Sequence, residues 1–226
     1  MEKKERDYIF LLAFMILSYL SIAVGDKIFL PDPNPFDLVN ILKALTVVGW
    51  YIFLYRIMTN FYSNKLIRWG YIFLMVFHFL LTSYVHRNDA QAVDDSIVPA
   101  TISYVSSLIG FGIVFYNILK DVFTGKHNLR YSLLGASNIY FMIPLMFCYV
   151  YSLMSIQEPA NVHADPANVK SILFNSFNYS WFVIAGMDYT AGKIGDVIQS
   201  MAVMEAIAGN LFIVFIIGRL MSRPGE

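Results

Sequence analysis

The sequence is short of charge. Only 14% of its 226 residues are Asp, Glu, Lys or Arg, where an ordinary soluble domain carries about 25%. It is short of cysteine as well: Cys148 stands alone inside an apolar block, which excludes an intrachain disulfide framework and a Cys-based metal site. His78 lies in an apolar run with no second histidine at metal-ligand spacing, while His86, His127 and His163 fall in polar connections. A lone histidine of that kind reads as a packing residue. Nucleophile-elbow, phosphate-cradling glycine-loop, paired-histidine and CxxC patterns are all missing, so the chain is not expected to be an enzyme.

What the sequence has is apolar residues, 58% of the total, and they are clustered. About 20 consecutive apolar residues cross a hydrocarbon core of about 30 Å. Six blocks meet that length approximately: Tyr8–Val24, Phe36–Met58, Trp69–Val85, Val98–Leu119, Tyr131–Met154 and Ile198–Met221. They use up most of the chain and leave no room for a separate soluble domain. A cytosolic enzyme, a nucleic-acid binder and a secreted protein are excluded on that ground. The charged start, Met1 to Asp7, opens onto an apolar run with only Ala23 and Gly25 as small-residue cleavage candidates, so it reads as a retained first helix and not a signal peptide. The aromatic content of 16% reads as interfacial belt and helix packing, not as a cofactor site.

Basic residues set the orientation. Lys3, Lys4, Arg6, Arg56, Lys65, Arg68, Lys120, Lys126, Arg130, Arg219 and Arg223 fall on one side, and Lys27, Lys43, Arg87, Lys170 and Lys193 on the other. The richer side is expected to be cytoplasmic in a plasma or inner membrane, with both termini inside. Ten acids lie on the outer side, from Asp26 to Asp196; they read either as a vestibule that concentrates cations or as simple charge bias between faces. Lys43, near the outer end of the second span, can snorkel. No Lys or Arg occurs between Val98 and Leu119, so the Arg stripe of a voltage sensor is absent.

The longest connection, between the fifth and sixth spans, starts polar and then carries an apolar, aromatic segment from Val169 to Gly186. At about 17 residues it is short for a span and reads as re-entrant or interfacial. A short helix is expected from Lys170 or Ser171 to Ala185, followed by a non-helical turn through Gly186-Met187-Asp188-Tyr189-Thr190. Irregular backbone at membrane depth is tolerated only where it is buried in protein or lines a water-filled cavity.

The run Tyr179-Ser180-Trp181-Phe182-Val183-Ile184-Ala185-Gly186-Met187-Asp188-Tyr189 resembles the pore helix and filter of tetrameric potassium channels. The run Met201-Ala202-Val203-Met204-Glu205-Ala206-Ile207-Ala208-Gly209-Asn210-Leu211-Phe212 resembles the inner helix of bacterial two-helix-pore channels, L-A-V-L-E-A-L-I-G-Q-L-Y. The resemblance covers about 50 residues and is more specific in the inner helix than in the filter. It implies an all-α membrane protein of six transmembrane helices, with a re-entrant pore helix and loop between helices 5 and 6. Residues 1–129 would form a peripheral four-helix domain and residues 130–226 the pore domain of a homotetramer in membrane lipid.

The filter departs from the family. Gly186, Met187, Asp188, Tyr189 and Thr190 stand over T-V-G-Y-G, so the hydroxyl position is a glycine and both filter glycines are replaced. A rival register puts Thr190 to Asp196 over T-V-G-Y-G-D with one insertion, at the cost of the spacing to both helices. A ring of Asp188 carboxylates would suit cations, divalent ones included, and no cofactor is implied beyond the permeant potassium, sodium or calcium. The expected function is a weakly selective or divalent-preferring cation channel. The alternative is a non-conducting, channel-derived sensor or accessory subunit, with Asp188 a solvated turn residue. Glu205 reads as support behind the pore helix or as a functional ionisable group, Gly209 as a hinge or a packing contact, and Asn210 as a cavity-lining residue. Nucleic acid is not an expected partner. An intramembrane enzyme would need convergent polar groups, and the candidates Glu205, Asn210 and His78 do not supply them.

Overall fold

A computed structural model describes residues 3–28, 38–62, 64–88, 93–124, 129–157, 169–187 and 195–221. Seven helices, and no strand, make up these residues: α1 Lys3–Ile28, α2 Leu38–Phe61, α3 Lys65–Asn88, α4 Val93–Thr124, α5 Leu129–Gln157, α6 Val169–Ile184 and α7 Asp196–Met221. Helix is what apolar runs of this length must form in lipid, because helices satisfy their backbone groups internally. Among the described residues, Ile97–Thr124, Leu129–Ile156 and Asp196–Gly218 are long and apolar enough to cross a membrane. The membrane character expected from composition holds at that level.

Helix α4 packs on α5 across a connection of only four residues, 125–128, as expected of a short helix–helix link. Helix α5 is the common wall. It touches α1 and α4 on one side and α6 and α7 on the other. The largest core cluster joins Tyr8 and Met15 of α1, Ile57 of α2, Tyr71 of α3, Ile118 of α4, Met142 of α5 and Phe212 of α7.

One end of the bundle is tied by charge. Arg56 of α2 meets the buried Asp7 of α1 at 2.6 Å, and the Asn60 amide donates to the other Asp7 oxygen at 2.8 Å. Lys4 pairs with Asp121 of α4 at 3.3 Å, a carboxylate that also accepts from the hydroxyls of Tyr8 and Tyr131. Arg130 of α5 meets Glu5 at 3.2 Å. The Asn138 amide donates to the Tyr8 carbonyl at 3.0 Å. The first two turns of α1 are thus the point where α2, α4 and α5 are held together.

Candidate functional site

Helix α6 has 16 residues, or about 24 Å of helix at 1.5 Å per residue, less than the hydrocarbon thickness. It starts and stops within a residue or two of the short helix read from the sequence. Its end is built by glycine. The Gly186 N–H donates to the Val183 carbonyl at 3.1 Å and the Met187 N–H to the Phe182 carbonyl at 2.8 Å, with Gly186 at φ 68. That pair of bonds around a left-handed residue is a Schellman cap, and only glycine adopts the conformation without a steric cost. Gly186 therefore terminates the helix at the position where the resembled family has its filter threonine. Met187 follows it, exposed. Asp188, Tyr189 and Thr190, the remaining residues of the expected constriction, lie outside the described residues, as does the rival segment up to Ile194.

The chemistry on the inner side of α7 centres on Glu205, which is 0% exposed. Tyr151 of α5 donates to Glu205 Oε2 at 2.6 Å, and the Ser180 hydroxyl of α6 contacts Oε1. Ser180 also lies 2.9 Å from the Pro144 carbonyl of α5. One carboxyl thus joins three helices. Tyr151 and Tyr179 close the site as an edge-to-face pair with centroids 5.0 Å apart, and Ile198 of α7 belongs to the same buried cluster. The carboxyl has no open side on which a substrate or metal could approach. Among the described residues, no group of three or more His, Cys, Asp or Glu side chains could hold a metal ion.

Gly209, one turn below Glu205, is buried against α6. A Cβ there would meet Ile184 Cγ1 at 2.9 Å, so this glycine is a contact point between α6 and α7. Asn210 is exposed and makes no side-chain hydrogen bond to a described residue. It therefore does not converge with Glu205 and Gly209. At 100° per residue, Asn210 shares the side of α7 away from Glu205 with Asp196, Gln199, Ser200, Val203, Ile207 and Val214, all exposed. Only 22% of the apolar stretch of α7 is buried within the chain, against 56% for α5.

His78 sits elsewhere. Its Nδ1 lies 3.2 Å from the hydroxyls of Ser103, Ser106 and Ser107 on α4, a polar clip between α3 and α4 that agrees with a packing role. The side chain of Lys43 is outside the described residues.

Two partners of Glu205, and the carbonyl that Ser180 also reaches, escaped the sequence reading. Ser180 lay in the motif without a role, and Tyr151 and Pro144 were not singled out. Their spacing of seven residues puts Tyr151 and Pro144 on one face of α5, a signal available in the sequence. Which helix that face meets was not. No family model, curated protein or solved structure matches the chain.

Proposed function

We propose that the chain is one subunit of a homotetrameric cation pore. Six helices would span the membrane, with α6 entering it as a re-entrant pore helix and both termini on the cytoplasmic side of a plasma or inner membrane. The observation that carries this reading is the two-faced character of α7. Its inner face is fixed to α5 and α6 through Glu205 and Gly209, while the opposite face exposes Asn210 about 21 Å along the helix from Asp196, with nothing among the described residues to cover it. A polar amide facing hydrocarbon is unfavourable unless it finds a partner or water. Four copies arranged about the outward face of α7 would supply both. In that arrangement the loop from Gly186 to Thr190 forms the constriction, with Asp188 carboxylates as a cation ring.

The Glu205 node supports the reading as well, since it braces a short helix between two long ones. A filter that begins after a helix-capping Gly186 lacks the hydroxyl of the potassium-selective pattern, which favours weak or divalent-preferring selectivity. The same cap is the observation that favours the alternative, a channel-derived subunit that does not conduct.

The deciding experiment is single-channel recording of the purified chain in planar bilayers under bi-ionic gradients, beside Asp188→Asn. Cation current whose reversal potential or divalent block changes in the variant supports the pore and places Asp188 in it. A confirmed tetramer that passes no current, even after inner-helix substitutions meant to hold it open, hands the role to the non-conducting alternative.

A further inference from the structure

At the end of the bundle where α1, α3 and α5 begin and α2 and α4 finish, positive charge is on the outside and negative charge beneath it. The side chains of Arg130, Arg56 and Lys4 are 72%, 39% and 37% exposed, whereas those of their partners Glu5, Asp7 and Asp121 are 8%, 1% and 12% exposed. Arg6, Lys65 and Lys120 are exposed at the same end and form no ion pair with a described residue. Among the side chains described there, no acid is exposed. The buried carboxylates hold the bundle together and leave the exposed charge among the described side chains there basic.

An apolar track leads away from these bases. Leu66, Phe73, Phe77 and Leu80 are exposed on α3, and their spacings of seven, four and three residues align them on one face of the helix. Trp69, 68% exposed, sits one turn from Lys65, where an aromatic belt residue marks the level of the headgroups. A phosphate at Lys65 with acyl chains along that track satisfies both surfaces at once, which a soluble anion does not.

The geometry points to this end of the bundle as a docking surface for anionic phospholipid headgroups, with Arg6, Lys65 and Lys120 as the bases free to take them. The inference rests on the membrane reading and is independent of conduction.

The test is native mass spectrometry of the full chain in mild detergent, titrated with phosphatidylglycerol or phosphatidylcholine of matched chains. Wild type is expected to retain phosphatidylglycerol in preference. The triple variant Arg6→Gln/Lys65→Gln/Lys120→Gln is expected to lose that preference by about fivefold per neutralised base. Lys65→Gln alone, at an exposed helix start, is expected to show one such step and guards against a folding defect in the triple variant. Equal retention of the two lipids, or unchanged preference in both variants, overturns the proposal. So does full displacement of phosphatidylglycerol by an equal concentration of glycerol phosphate, which would assign the bases to soluble phosphate anions. The assay reads no current, so a failed pore leaves its outcome unaffected.

Discussion

Ser180 has one hydroxyl proton and two acceptors in reach, the Pro144 carbonyl and the Glu205 carboxyl. With its proton on Pro144, its contact with Oε1 is a hydrogen bond only if the carboxyl supplies a proton. The arrangement is therefore fully satisfied by a neutral Glu205, and the purified protein should show a protonated-carboxyl C=O infrared band that Glu205→Gln removes. Glutamine keeps an acceptor for Tyr151 and gains a donor for Ser180, so it should unfold within about 1 kcal/mol of wild type. Glu205→Leu orphans the buried Tyr151 hydroxyl and should cost about 1–3 kcal/mol, read from denaturation in detergent. Gly186 offers a second test at this scale. Its left-handed conformation costs an alanine about 1–2 kcal/mol, with nothing within 4 Å of the added methyl to change the sign. Gly186→Ala should fray the last turn of α6 and speed amide exchange at Gly186 and Met187, whose N–H groups form the cap.

Among the elements, the close approach of α6 and α7 depends on the absence of a side chain at Gly209. Gly209→Ala drives a methyl into Ile184 Cγ1 at 2.9 Å and should cost about 1–3 kcal/mol as overpacking. In an Ile184→Ala background the same change should cost less than about 0.5 kcal/mol. The coupling in this double-mutant cycle is the quantity to measure; additive costs would mean that α6 does not rest on Gly209. This contact also shows how far the sequence was legible. Apolar run length placed α5 and α7 to within three residues and α4 to within five at each end, and the spacing of aromatics with Gly186 placed α6 almost to the residue. Hinge and packing contact were equally open for Gly209, because a glycine's neighbour belongs to another helix and periodicity within one helix does not name it. The ion pairs of Asp7 and Asp121 were hidden for the same reason: charge counting placed their helices at one end but not one against another. The domain boundary at 129/130 was set by the resemblance alone.

For the whole molecule the open matter is what covers α7. Lipid, water and a second copy make different demands on its exposed side. Asp196, Ser200, Val203, Ile207, Asn210 and Val214 lie opposite Glu205, whereas Val197, Met204 and Phe215 lie on a flank and are equally exposed. A helix bathed in lipid gives no distinction between those two sets. A helix packed about a water-filled axis gives a strong one, because the reactive thiolate forms in water and not in hydrocarbon. Cysteines placed singly along α7 separate the cases, in a Cys148→Ser background that removes the one native thiol, itself buried. With a charged, membrane-impermeant thiol reagent, Val203→Cys, Ile207→Cys and Asn210→Cys should react roughly tenfold or more faster than Met204→Cys and Phe215→Cys. The tetramer predicts that this contrast appears in bilayers and vanishes when detergent separates the subunits. Uniform protection of all five positions in bilayers would put lipid around α7 and remove the basis for a pore along its outward face.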